Sequence, residues 1–390
     1  MSNLRTPWRA VSAMFVLNGA LYGIWAARIP AIAEKHALGP GRLGLLLLLL
    51  AMGAILSFPL AGRAADRFGA YHVTLRIAVA YVAALIAIAW APGLWTVAIA
   101  LFLFGATHGA MDVAMNTWAS EVERHIGRPV MSSFHAMFSV GAGLGAGTGV
   151  LAAWAAIGPS IHFTTAGVAA AVLTLAFGWI GWAKPEGQVD HSGTILAIPR
   201  GALAAVGMLA FCAALGEGAM ADWSAIFLVL TTQVTEAKAA LGYTVFSVAM
   251  VVMRFLGDRV IRWAGPVKAA RMAGAFTLAG IVFAVGFGTY GAVLTGFALL
   301  GFGYAVIFPL AFSRAANDPA MAPGAAIASV ATLGYGGLLL GPPVIGFVAE
   351  LTSLRVAFGL LGGLAVLIVV LAQSLRPPHS AGQTTATAKS

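Results

Sequence analysis

The chain has 390 residues, of which 60% are hydrophobic and 9% charged. Soluble domains run at roughly 45–50% and 25%, so an ordinary water-soluble fold is excluded. A formal net charge of +9 could suit nucleic acid, but it is spread over short loops between apolar stretches. The single cysteine, Cys212, leaves no disulfide within the chain and no cysteine-rich metal cluster.

Taken in order, the first apolar stretch lies behind Arg5 and Arg9 and has the layout of a secretory signal. It is long enough to cross a bilayer, however, and reads as span 1, from Trp8 to Arg28. Span 2 runs from Leu43 to Ala61, and the charged turn GRAADRFGAYH leads to span 3, Val73 to Ala91. After Ala91-Pro92-Gly93, span 4 covers Leu94 to Trp118 and span 5 Ser133 to Ile157. Gly158-Pro159-Ser160 turns into span 6, which ends near Trp182. Lys184 to Arg200 is the one long polar stretch inside the chain. Span 7, Gly201 to Leu230, and span 8, Ala239 to Gly257, follow it. Across the basic turn GDRVIRWAGPVKAAR come span 9, Val267 to Gly288, span 10, Ala292 to Phe312, span 11, Gly324 to Ala349, and span 12, Leu354 to Leu375.

This predicts an all-α polytopic membrane protein of twelve transmembrane helices in two six-helix bundles. The expected units are residues 1–183, a cytoplasmic linker 184–200, residues 201–376, and a small polar tail 377–390 with the composition of a disordered segment. Of the 22 Lys and Arg, only Arg28, Lys35, Arg42, Lys238 and Arg355 fall on the side opposite the N-terminus. The positive-inside rule then places both termini and the linker in the cytoplasm.

The two halves repeat one another. Asn18-Gly-Ala-Leu in span 1 matches Glu217-Gly-Ala-Met in span 7, Gly105-x-x-His108 in span 4 matches Gly301-x-x-Tyr304 in span 10, and Asp66-Arg67 matches Asp258-Arg259 in the following turns. Internal repeats of this kind place a transporter's site at the repeat interface near mid-membrane.

Charged groups inside apolar spans are costly and mark function unless they face a wet or protein-lined interior. His108, Asp112 and Asn116 form one stripe at i, i+4, i+8. Asp112, about 9 Å from the centre of its span (six residues at 1.5 Å rise), falls at a depth similar to His135 in span 5. An Asp112–His135 pair could trade a proton, or tie the two helices together with Asn116, Ser132 and Ser133 as partners. Glu217 sits at mid-membrane as a candidate for the driving proton or for direct solute contact. Asp222 reads equally as a salt-bridge partner, a proton-coupling group or an outer-gate contact, and Trp223 as a stacking platform or interfacial packing. Asn18, Tyr22 and Trp25 share a face of span 1, with Tyr304 and Tyr335 as partners, which suits a hydroxyl-rich or aromatic solute. Plain bundle packing would place the same residues there. Arg63, Asp66, Arg67, Glu121, Arg124, Arg254, Asp258 and Arg259 are candidate gating charges whose salt bridges break in one conformation, and they also signal topology. Glycines 141, 145 and 149, interleaved with 143 and 147, form two small-residue rows, and Gly341-Pro342-Pro343 is expected to break span 11.

Gly62-Arg63-Ala64-Ala65-Asp66-Arg67-Phe68-Gly69 resembles the loop signature Gly-x-x-x-Asp-Arg-x-Gly of the major facilitator superfamily (MFS), with Ala70 and Tyr71 where a basic pair is usual. GAMDVAMN, RPVMSSFHAMFS, EGAMADWSAIFL, RFLGDR and ATLGYGGLLLGPP are similar to YbjJ-type inner-membrane permeases within that superfamily. The Gly109–Asn116 segment is more distantly similar to fucose–proton symporters, which carry an acidic residue at the Asp112 position. Those symporters also carry a carboxylate in span 1, where this chain has Asn18, Tyr22 and Arg28. The resemblance implies the MFS fold, rocker-switch alternating access and a state-stabilising role for the Asp66 loop.

No phosphate-binding loop, His-Glu-x-x-His or soluble acidic cluster is present. The expectation is therefore no cofactor, no metal and no enzymatic activity. The chain reads as a monomeric secondary transporter of the bacterial inner membrane, moving a small polar solute and coupled to protons. A membrane sensor or scaffold of the same fold is the alternative.

Overall fold

The computed structural model describes residues 6–127, 130–182, 199–319, 321 and 323–376. The expected linker and tail fall almost wholly outside them. The elements are α1 Pro7–Ala27, α2 Ile29–Lys35, α3 Pro40–Phe68, α4 Ala70–Trp90, α5 Leu94–Ile126, α6 Met131–Trp154, α7 Pro159–Gly178, α8 Ala202–Thr232, α9 Glu236–Gly286, α10 Tyr290–Tyr304, α11 Ile307–Ala316, α12 Pro323–Leu351 and α13 Leu354–Leu371. Among the described residues there is no strand, and 12 helical stretches are long and apolar enough to cross a membrane. The fold is all-α and polytopic, as the hydropathy predicts.

Helix ends follow local chemistry. Pro7, Pro40 and Pro159 open α1, α3 and α7, where the missing N–H costs no helical hydrogen bond. Gly69, at φ 84, closes α3 and starts α4, a conformation that a side chain would strain. Spans 8 and 9 lie in one continuous helical element, α9, interrupted only at Gly265 (φ 76) before Pro266.

Three elements differ from expectation. Span 4 runs on as α5 to Ile126, so Asp112 stands only about 3 Å from the middle of its helix at 1.5 Å per residue. Span 10 is two helices, α10 and α11, parted after Tyr304. Pro309 has no N–H to offer the Ala305 carbonyl four residues back, and the chain turns there instead. Span 11, expected to break at Gly341-Pro342-Pro343, continues through both prolines as α12. Packing against α8 and α3 supports it there.

Glycine notches hold the helices together. On α6, Gly141 and Gly145 lie against the Val16 and Ala20 carbonyls of α1, while Gly143, on the other face, looks towards Ser247 of α9. The equivalent pair in the second half is α12 on α8, with Gly337 against the Phe211 carbonyl. Likewise Gly105 of α5 presses on the Leu50 carbonyl of α3, and a Cβ on Gly301 of α10 would stand 2.5 Å from the Phe246 carbonyl of α9. The Gly105 and Gly301 motifs thus do the same work in matching helix pairs: they let backbones meet where lipid supplies no hydrophobic drive. Between the first six spans and the last six, α6 packs on α9 and α3 on α12. Trp90, Trp95 and Trp154 are exposed at one end of the bundle, Trp179 and Trp263 at the other, as in the aromatic belts of membrane interfaces.

Candidate functional site

Asn18 and Glu217 stand at the middle of α1 and α8, and each is turned inward. Asn18 is fully buried, with its Nδ2 on the Met115 sulfur at 3.5 Å and its Oδ1 without a protein partner. Glu217 forms a salt bridge through Oε2 with Arg254 of α9 at 3.6 Å, and its buried Oε1 has no hydrogen-bond partner. Arg254 also donates to Ser139 of α6, joining the last six spans to the first. The sequence assigns Arg254 to the gating charges at the helix ends. In the structure its long side chain reaches back into the interior to neutralise Glu217, so its salt bridge lies deeper than the helix end. Both partners keep about a quarter of their side-chain surface accessible (21% and 24%). Groups so placed between packed helices face a partly accessible space. Tyr243 of α9 is buried within electrostatic reach of Glu217, Asp222 and Arg254 and hydrogen-bonds Ser247.

Asp112 and His135 do not form the expected pair. Asn116 Nδ2 donates to Asp112 Oδ1 at 3.0 Å, and the Tyr335 hydroxyl of α12 approaches the same carboxylate. His135 lies instead edge-on to Phe15, with ring centroids 5.3 Å apart, on the Arg254 side of the space. The two residues sit on different helices, and side-chain direction decides which neighbours they meet; depth alone does not reveal it. His108 shares a hydrogen bond with the Tyr81 hydroxyl at 2.9 Å and packs on the Tyr22 ring at 5.0 Å. Tyr335 packs on Phe58 of α3, centroids 4.9 Å apart, and is 38% exposed.

The remaining aromatic candidates pack more than they line the space. Trp25 is buried against Phe104. Trp223 is buried with its ring against Gly346. Tyr304 packs its hydroxyl end on Gly216 beside Glu217, the hydroxyl unpartnered.

At the end of the bundle where α1 finishes, the two sets of spans are tied together. The Tyr22 hydroxyl donates to Asp222 Oδ1 at 3.1 Å, and Arg28 Nε meets Glu236 Oε1 at 2.5 Å. The Gly41 amide donates to Glu350 at 3.0 Å. Gly44 and Gly346 touch backbone to backbone, so that a Cβ on Gly346 would be 2.9 Å from the Gly44 Cα. Arg28 is 2% exposed and is held also by the Ile157 carbonyl. A cleft of about 640 Å3 at this end, lined by residues such as Pro30, Leu38 and Ile226, lies away from the polar residues of the interior.

At the opposite end Arg63, Asp66, Arg67, Arg124 and Arg259 are exposed, with Arg67 over the Phe68 ring. Glu121 is buried and accepts from Trp182 Nε1 at 2.9 Å. The side chains of Asp258 and Ser132 lie outside the described residues.

Sequence reasoning missed Ser139, Tyr81, Tyr243, Phe58, Glu236 and Glu350 as members of this arrangement. Ser139 and Tyr243 are ordinary in apolar helices, and Glu236 and Glu350 sit at helix ends where charges are common. Tyr81 alone carried a signal, being a polar aromatic residue in the middle of span 3.

Twelve spanning helices, repeated packing in two sets of six, and a polar layer between the sets that is sealed at one end define a membrane carrier for a small-molecule solute. The chain belongs to the Major Facilitator Superfamily, whose family model matches residues 10–322. It is 45% identical over 377 residues to the uncharacterised transporter y4wD of Sinorhizobium fredii, covering 96% of this chain and 100% of that one. It is 36% identical to an uncharacterised MFS-type transporter of Yersinia pestis, covering 93% of each, and 32% identical to the membrane protein MosC of Rhizobium meliloti, covering 96% and 91%. Among solved structures, a mutant of the nucleoside transporter NupG superposes with TM-score 0.75 at 13% identity, over 95% of this chain and 100% of that one. The human organic anion transporter MFSD10 superposes with TM-score 0.66 at 16% identity, over 96% and 100%. These last two are likenesses of fold. The protein is a multi-pass membrane transporter of the MFS type.

Proposed function

We propose that this transporter is a proton-coupled carrier of a small polar solute, working as a monomer by alternating access in the bacterial inner membrane. Residues 1–183 and 201–376 are the two rocking bundles, with the termini and the 184–200 linker in the cytoplasm. Within the superfamily we place it with the YbjJ-type permeases on motifs such as GAMDVAMN and EGAMADWSAIFL.

The observation that carries the reading is the Glu217–Arg254–Ser139 connection at mid-bundle. It joins an ionisable carboxylate in a partly accessible space to a bond between the two moving bodies. When Glu217 takes up a proton, the Arg254 charge loses its counter-ion in a poorly solvated interior, which is costly. The guanidinium is then driven towards water, its hold on Ser139 weakens, and the bundles are free to rock. Tyr22–Asp222 and Arg28–Glu236 seal the opposite face in the state described, and their release admits solute from that side. Asp66 and the neighbouring arginines take the corresponding part at the other end.

The test is a Glu217→Gln variant, which mimics the protonated side chain, in proteoliposomes loaded with a solute found by a thermal-shift screen of metabolites. Solute exchange persists while accumulation driven by a pH gradient is lost. Full pH-driven uptake by the variant would remove Glu217 from the coupling step.

A further inference from the structure

With the His135 pairing gone, Asp112 is an intramembrane carboxylate that the coupling scheme does not use. It sits on α5 close to mid-helix, at the seam between the first six spans and the last six. Its neighbours are specific. Asn116 Nδ2 donates to it at 3.0 Å and the Tyr335 hydroxyl approaches it, and donors of this kind complement a carboxylate's lone pairs. Phe58 lies against Gly109, one turn away on the same helix, and its ring meets Tyr335 across the seam at 4.9 Å, the planes inclined at 57°. Tyr335 is 38% exposed between these helices, so the rings and the carboxylate face an accessible space. Among the described residues no Lys, Arg or His comes within 4.0 Å of Asp112, and Arg254 is engaged with Glu217 and Ser139.

We propose that Asp112, flanked by the Phe58 and Tyr335 rings, is the binding site for an ammonium group on the transported solute. A carboxylate supplies the counter-charge, and the neighbouring aromatic rings add cation–π attraction in a setting drier than bulk water, where such contacts are strongest. A neutral analogue gives up both terms, and a carboxylate analogue meets repulsion. The site therefore selects amine-bearing solutes by charge as well as by fit. Since Asp112 and Phe58 belong to the first bundle and Tyr335 to the second, closure around the ammonium favours the state in which the seam is shut.

The inference deepens the carrier reading and rests on it for the site's position. Its test is binding, which does not depend on proton coupling. Purified full-length protein is screened by thermal unfolding against matched sets that differ in one group: glucosamine, glucose and glucuronate; ethanolamine, ethylene glycol and glycolate. The amine member of a set raises the unfolding temperature of the wild type by mass action. That shift is lost in Asp112→Asn and kept in the conservative Asp112→Glu. A shift from a neutral or acidic member without its amine, an unaltered amine shift in Asp112→Asn, or no amine-specific shift in any set overturns the proposal. Should Asp112→Asn fold poorly, Tyr335→Leu, which removes the ring at the exposed edge, weakens the amine shift; an unchanged shift there overturns it too. If an amine binds as expected but is not accumulated under a pH gradient, the coupling scheme fails and the ammonium site stands.

Discussion

Asn18 and Glu217 occupy equivalent mid-helix positions, yet one is sealed in apolar packing against Met115 and the other holds an arginine of the neighbouring helix α9. The repeat preserves the place of a polar group and leaves its chemistry free to diverge. Glycine is under a tighter constraint, because at Gly105 the Leu50 carbonyl fills the space a side chain would need. Gly105→Val has to push α5 off α3 and lose the dispersion contacts along that pair. The expected cost is about 1–3 kcal/mol, as for other overpacked interiors. A fall in unfolding temperature in detergent checks it, with Gly147→Val as the control, since nothing lies within 4 Å of a Cβ there.

At the level of elements, α12 and α10–α11 show that a proline's effect depends on its surroundings. α12 continues through Pro342 and Pro343, between α8 and α3, whereas the single Pro309 accompanies a break. The break falls just after Tyr304, which covers Gly216 beside Glu217. The seam of α3 and α12 is closest at Gly44 and Gly346, with the Trp223 ring of α8 also touching Gly346. A Gly346→Val side chain acts as a wedge, holding that end of the bundle apart. Ser247 faces Gly143 within the seam of α6 and α9 and is buried. In a Cys212→Ser, Ser247→Cys background, Gly346→Val should therefore speed labelling by an impermeant maleimide added on the side where α1 ends. Labelling as slow as in the parent would mean that the glycine contact does not close the seam.

For the whole molecule, the ties described between the two sets of spans run from the sealed end, through Tyr22–Asp222 and Arg28–Glu236, to Ser139–Arg254 and Phe58–Tyr335. Charged turns are exposed at the opposite end. The uneven placement of the 22 Lys and Arg is the ground on which we propose that the opposite end faces the cytoplasm. Cysteines introduced at Gly93 and Gly187 are then labelled by an impermeant reagent from opposite faces of the membrane, the first in right-side-out vesicles and the second in inverted ones. Labelling of both from one face would contradict the three spans that separate them.

The sequence by itself determined the bilayer as solvent, the number of spans, the repeat and the residues that are expensive to bury. Each of these follows from length, hydropathy and spacing along the chain, which a linear string records. It located Asp112, Glu217 and Tyr22 for the same reason: a polar group in twenty apolar residues is visible without a fold. Only the tertiary structure decided partners. Depth along α5 and α6 made Asp112 and His135 look like neighbours, but rotation of each helix about its axis turned one towards Tyr335 and the other towards Phe15. Arg254 looked like a loop charge until its reach towards Glu217 could be measured, and Glu236 looked like an ordinary helix-start acid until Arg28 was found against it. Pairing across helices depends on azimuth and side-chain reach, and these are settled by packing between segments far apart in the chain, 200 residues for Tyr22 and Asp222 and 309 for Gly41 and Glu350.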